Sequence, residues 1–171
     1  FPIFAFTHCR DVAAAVSKAG GMGVLGVAGH SPDNLRMELD WIEREVGDKP
    51  YGVDLLLPAK FVGSEKGGLG TEQLGAMIPE AHRRFVDELL ERYGVPKLAG
   101  SAPARPGFVV GYEQQRETIE LLLGRRIRLI ASALGPPPAW MIEHGRKAGV
   151  AVAALAGTAE HALRHKAAGV D

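Results

Sequence analysis

The sequence has one cysteine, no excess of either charge and no long apolar run, and each shortage removes a class of protein. A lone thiol, Cys9, makes no internal disulfide, so the expected setting is a reducing one, the cytoplasm. Lys plus Arg and Asp plus Glu stand at 20 each, and nothing chain-wide draws the protein to nucleic acid or to an acidic membrane surface. The longest apolar stretch, Val150 to Leu155, falls far short of the roughly 20 residues that span a bilayer. Metal-ligand spacing is missing as well. His82, His144, His161 and His165 fall on helical segments and read as surface residues, the last two beside the basic Arg164 and Lys166 of a solvated face.

What is present is a cadence. With 46% apolar residues the chain can bury a core, and three helical segments end in Ala-Gly followed at once by an apolar run. Ala19-Gly20-Gly21 leads into Met22 to Val27, Ala148-Gly149 into Val150 to Leu155, and Ala168-Gly169 into Val170. Glycine just past a helix end takes the left-handed backbone that satisfies the last carbonyls, and a run apolar on both faces suits a parallel strand under helices. Strands are expected at Ile3–Phe6, Gly23–Ala28, Tyr51–Leu57, Ile127–Ala133 and Val150–Ala156, with a sixth starting at Val170. Helices are expected at Asp11–Ala19 (apolar face Val12, Ala15 and Val16), after the Ser31 cap and Pro32, and at Tyr112–Leu123, Pro138–Lys147 and Thr158–Ala168.

The rhythm breaks at about 59–110, where Gly-rich and Pro-rich stretches flank a helix expected at Pro79–Tyr93. This reads as an excursion from the end of strand three. Alternating β and α segments imply a parallel sheet. Two long apolar edges would remain open if five such units stood alone, so residues 1–171 are expected to be the N-terminal portion of a single (β/α)₈ barrel domain in a longer polypeptide. A doubly wound five-stranded domain is the alternative.

Working groups in parallel α/β folds sit at the carboxyl ends of strands. His8 and Cys9 stand together there, but adjacent residues in an extended loop point apart and no orienting carboxylate is assignable, so Asp11 is read as a helix cap with Cys9 packed beneath it. Asp54 lies within the otherwise apolar Val53 to Leu57. A buried carboxylate is costly unless a ligand or a backbone amide answers it. Gly63 to Gly68 lacks the Gly-Lys-Ser/Thr ending of a phosphate loop and reads as a linker. Trp41 and Trp140 read as core anchors.

Residues 1–26, above all Ala15-Val16-Ser17 through Ala19-Gly20-Gly21 to Leu25-Gly26, resemble the opening of nitronate monooxygenases, formerly 2-nitropropane dioxygenases. Tyr51 to Asp54, Leu134 to Pro137 and Ala167 to Asp171 extend the likeness over nearly the whole chain outside the excursion. The resemblance implies an FMN-binding TIM barrel that oxidises alkyl nitronates with dioxygen, while some relatives are NAD(P)H-dependent reductases. It places Ala5, Phe6 and Thr7 against the flavin, Asp54 where many members carry a cofactor-contacting Asn, and Ser132 and Gly157 at cofactor-facing strand ends. The family's catalytic histidine and phosphate-binding glycines would come later than residue 171. Other phosphate-binding barrels, of the flavin-linked enoyl reductase or IMP dehydrogenase kind, and a cofactor-free α/β binding module stay open.

Overall fold

The computed structural model describes residues 3–58, 61–63, 69, 71–96 and 115–171. Five strands, β1 Phe4–Thr7, β2 Met22–Gly26, β3 Tyr51–Leu56, β4 Leu129–Ala133 and β5 Ala151–Ala154, form one parallel sheet in that spatial order. The described helices are α1 Arg10–Lys18, α2 Pro32–Val46, α3 Thr71–Ala76, α4 Glu80–Arg92, α5 Arg116–Leu123, α6 Ala139–Ala148 and α7 Ala159–Ala168. Each strand lies beside its predecessor and the order never doubles back. A doubly wound sheet reverses at a switch point, so this order is that of a barrel wall.

The two faces of the sheet confirm it. Leu25, Val53, Leu55, Ile130 and Val152 share one face, where they pack with Leu35, Leu39 and Ile42 of α2, Ile119 and Leu122 of α5, and Met141 and Ile142 of α6. The alternate residues, Phe6, Val24, Gly26, Gly52, Asp54, Ala131 and Ala133, lie on the other face by register. The buried core cluster thus lies on the helix side, and the other side is the interior of a barrel. Asp171 already runs beside β5, its N–H donating to the Val152 carbonyl at 3.0 Å.

Local chemistry explains the helix ends. Ser31 caps α2 by accepting the Asn34 N–H at 3.3 Å, with Pro32 opening the helix, and Thr158 caps α7 by accepting the His161 N–H at 3.2 Å. Gly20, Gly149 and Gly169 follow α1, α6 and α7 with φ of 95°, 69° and 88°.

Three expectations need correction. The buried face of α1 is Ala13, Ala14 and Ser17, while Val12 is 48% exposed. The helix lies so close to β2 that a Cβ added at Gly23 would fall 2.0 Å from the Ala13 carbonyl oxygen, and the Ser17 hydroxyl accepts the Gly23 N–H at 3.0 Å. Only small side chains fit that seam. Cys9, not Asp11, is the N-cap residue of α1, and it is exposed. Asp11 sits in the first turn, where its charge still complements the helix dipole. His165 is not a surface residue: it is buried under the β5–α7 turn with Nε2 at 3.1 Å from the Leu155 carbonyl, while its helical neighbours Arg164 and Lys166 face outward. His144 is half-buried, its ring edge-on to Trp140 at 5.8 Å.

Of the 59–110 stretch, α3 and α4 are described, and α4 buries no residue. Residues 64–68, within the glycine-rich loop, and most of the proline-rich stretch lie outside the described residues. The chain re-enters at Gln115, whose side-chain amide donates to the Leu56 carbonyl at 2.8 Å, at the carboxyl end of β3.

Candidate functional site

The carboxyl ends of β1, β2 and β3 bring a carboxyl group, two rings and a bare backbone together on the inward face. Asp54 lies inward because β3 alternates: Val53 and Leu55 go to the helices and Asp54 goes the other way. It is 7% exposed, and among the described residues nothing donates a hydrogen bond to its carboxyl group. Burial pushes its pKa up from 3.8 to about 6, with the nearby His8 pulling modestly the other way. Its neighbours leave space around it. Gly26 is its register partner on β2 and Ala131 its partner on β4.

The remaining expected site residues divide by strand parity. Phe6 is on the inward face, its ring beside Gly26 and 58% exposed. Ala5 and Thr7 share the register of Gly23 and Leu25 and so turn toward the helix side, and the Thr7 hydroxyl accepts the Cys9 N–H at 3.0 Å. Ser132 is fully buried on the helix side. Its hydroxyl donates to the Gly135 carbonyl at 3.1 Å and closes the turn after β4. Gly157 is exposed in the turn between β5 and α7. Phe6 and Asp54 therefore meet at one place, whereas Ala5, Thr7 and Ser132 turn their side chains away from it.

Several features escape the sequence. His8 continues the inward alternation of Phe6, and the two rings meet edge-on with centroids 5.0 Å apart. The signal was there: positions 4, 6 and 8 share a face once β1 is followed past its last ladder bond. Leu134 holds φ at 70°, the one non-glycine residue with positive φ among those described, in the turn that Ser132 braces. A cleft of about 470 Å³ opens beside that turn, lined by Leu134, Gly135, Pro136, Leu155, His161, Arg164 and His165. At the opposite, amino end of the sheet, Arg125 bridges Asp40 and Glu43 while the Tyr51 hydroxyl donates to Glu43 at 2.9 Å. In a barrel that end serves stability.

The nitronate monooxygenase family model matches residues 5–171, nearly the whole chain. The chain belongs to the nitronate monooxygenase family. It is 53% identical over 173 residues to Rv1533 of Mycobacterium tuberculosis, whose monooxygenase designation is itself inferred, covering 100% of this chain and 46% of that protein. It is 25% identical over 161 residues to the nitronate monooxygenase of Pseudomonas aeruginosa, covering 94% of this chain and 41% of the relative. Among solved structures, nitroalkane oxidase from Streptomyces ansochromogenes superposes with a TM-score of 0.69 at 21% identity, over 99% of this chain and 44% of that one. A variant of FabK from Thermotoga maritima does so with a TM-score of 0.59 at 16% identity, covering 100% and 41%. These likenesses carry the fold: five consecutive units of a (β/α)₈ barrel. The chain spans less than half the length of the curated relatives it matches.

Among the described residues no helix is long and apolar enough to cross a membrane, and no cluster of His, Cys, Asp and Glu could hold a metal ion.

Proposed function

We propose that this chain forms one wall of an FMN pocket in an oxidoreductase that oxidises alkyl nitronates with dioxygen. The observation that carries the reading is the inward carboxyl of Asp54, buried and without a hydrogen-bond donor among the described residues, amid the small side chains of Gly26, Ala131 and Ala133. A planar ring system bearing polar edges fits such a surface: it can lie against residues that project little and answer one buried polar group.

The residues present suit the cofactor in distinct ways. Phe6 offers an exposed ring on the inward face, and Ala5 and Thr7 offer backbone groups at the end of β1. By the family resemblance, Asp54 stands at a position where many members carry a cofactor-contacting Asn. With its pKa raised to about 6, its carboxyl can hold a proton near neutrality and then presents one O–H donor and one C=O acceptor, the pattern of a carboxamide. Ser132 and Gly157 shape the turns after β4 and β5, and contact there would be made by backbone. FMN bound there would supply the electron acceptance that oxidation of a nitronate requires. The protein's share is to seat it, exclude water and place the substrate.

The test is a visible absorption spectrum of the purified full-length protein, followed by anaerobic addition of an alkyl nitronate. Flavin bands that bleach on addition are the expected result. A colourless protein that takes up no FMN would end the reading, and bands that bleach with NAD(P)H but not with nitronate would move it to a flavin reductase.

A further inference from the structure

Asp54 has a titratable companion on the inward rim. His8 follows β1 by one residue and stands over β2 at Gly26. A Cβ built on Gly26 would lie 2.8 Å from His8 Cε1, 2.8 Å from His8 Nδ1 and 2.8 Å from Phe6 Cζ. Phe6 in turn fixes the imidazole by its edge, the ring planes at 82°. Gly26 is the register partner of Asp54, one strand spacing of about 4.8 Å away. Imidazole, bare Cα and carboxyl thus form a row across the ends of three strands. Glycine at the middle position is what lets the ring come down.

The other charged groups nearby are engaged elsewhere. On the β1–α1 side, Arg10 bonds Glu38 at 3.2 Å and covers the Trp41 ring, and the Cys9 thiol meets Asp11 at 3.6 Å. After β2, His30 Nδ1 meets the Val27 carbonyl at 3.2 Å. β2 itself, Met22–Gly26, brings no titratable side chain. Within β3, Asp54 is the one charge on the inward face.

We propose that His8 is a second proton-handling residue of this site, coupled to Asp54 across the bare backbone of Gly26, and that the pair in its doubly protonated form receives the anionic oxygen of the substrate. With one proton the pair is either imidazolium with carboxylate or imidazole with carboxylic acid, neutral overall in both forms. A second proton makes it a net cation, in which the carboxyl O–H serves the cofactor and the imidazolium N–H is the donor that complements a nitronate oxygen. Losing both leaves a carboxylate that repels it. Substrate affinity therefore falls as pH rises through the titration of the pair. The substrate's identity here rests on the reading above; the coupling does not.

Two measurements on the full-length protein test this. Infrared titration follows the protonated carboxyl band that disappears in Asp54→Asn. Removing the imidazolium in His8→Gln should move the Asp54 midpoint upward by roughly one unit, and Gly26→Ala, which displaces the ring but keeps both groups, should move it the same way. An unchanged midpoint in both variants overturns the coupling. In steady state, KM for the nitronate should climb with pH in the native protein, and in His8→Gln the climb should shrink to the single step of Asp54, displaced to its higher midpoint. A pH profile identical to the native one overturns the substrate role. If the midpoint moves while no nitronate is turned over, the coupling stands and the nitronate reading fails.

Discussion

Asp54 is the residue at which cost and use are most plainly opposed. Its pKa is raised from 3.8 to about 6 by burial, so the native state holds this proton more tightly than the unfolded chain does. The stability it contributes is fully present below pH 3.8, declines as pH rises, and is gone above about 6. At 1.36 kcal/mol per unit the loss amounts to roughly 3 kcal/mol at most. In urea titrations of the flavin-free protein, Asp54→Asn should remove this decline and be the more stable form at pH 7, with the two proteins converging at pH 4. A native protein as stable at pH 7 as its Asn variant would mean that a partner already pays for the charge. The misfit of Asp54 among apolar neighbours was legible in the sequence, because a carboxylate inside a strand demands a reason. His8 was not. Its value arises from Gly26 on a neighbouring strand, and no spacing along the chain records that an imidazole will lie over a glycine.

Among elements, the junction of α1 and β2 shows where periodicity misleads. Valines at 12 and 16 suggest the buried stripe, yet the sheet accepts Ala13, Ala14 and Ser17, because backbone contact at Gly23 leaves no depth for a larger side chain. Strand and helix order, caps and terminal glycines could be read directly, since each depends on residues within a few positions of one another. Which face of a helix is buried depends on how near the sheet comes. The same argument explains His165, whose charged neighbours suggested solvent although its own position turns to β5. Gly23→Ala should therefore be costly out of proportion to one methyl group. The clash is with backbone, which has no rotamer to yield, so destabilisation of about 3 kcal/mol or more is expected. Thermal melting of the variant beside Ser17→Ala, which strands the Gly23 N–H and should cost about 1–3 kcal/mol, separates the packing loss from the hydrogen-bond loss. A Gly23→Ala protein that melts with the native one would show that α1 can lift away freely.

At the scale of the molecule, the sequential order β1 to β5 and the one-sided core turn a list of β/α units into a curved wall. A flat doubly wound sheet would need helices packed on both faces, but here the described helices build the core cluster on one face, and the second face carries Phe6, Val24, Gly26, Gly52 and Asp54 by register with no helix in that cluster against them. The wall has open edges. Ile3, Phe4 and Phe6 at β1 are 64%, 58% and 58% exposed, and Leu155 just past β5 is 62% exposed. Such edges template association with other chains unless further strands cover them. Produced by itself, the 171-residue chain should bind the dye ANS and self-associate in sedimentation, whereas a chain of its relatives' length, in which β1 and β5 gain neighbours, should be dye-silent. A 171-residue product that stays monomeric and dark would mean that these five units already close on themselves, and the pocket at the ends of β1 to β3 would then be complete without further strands.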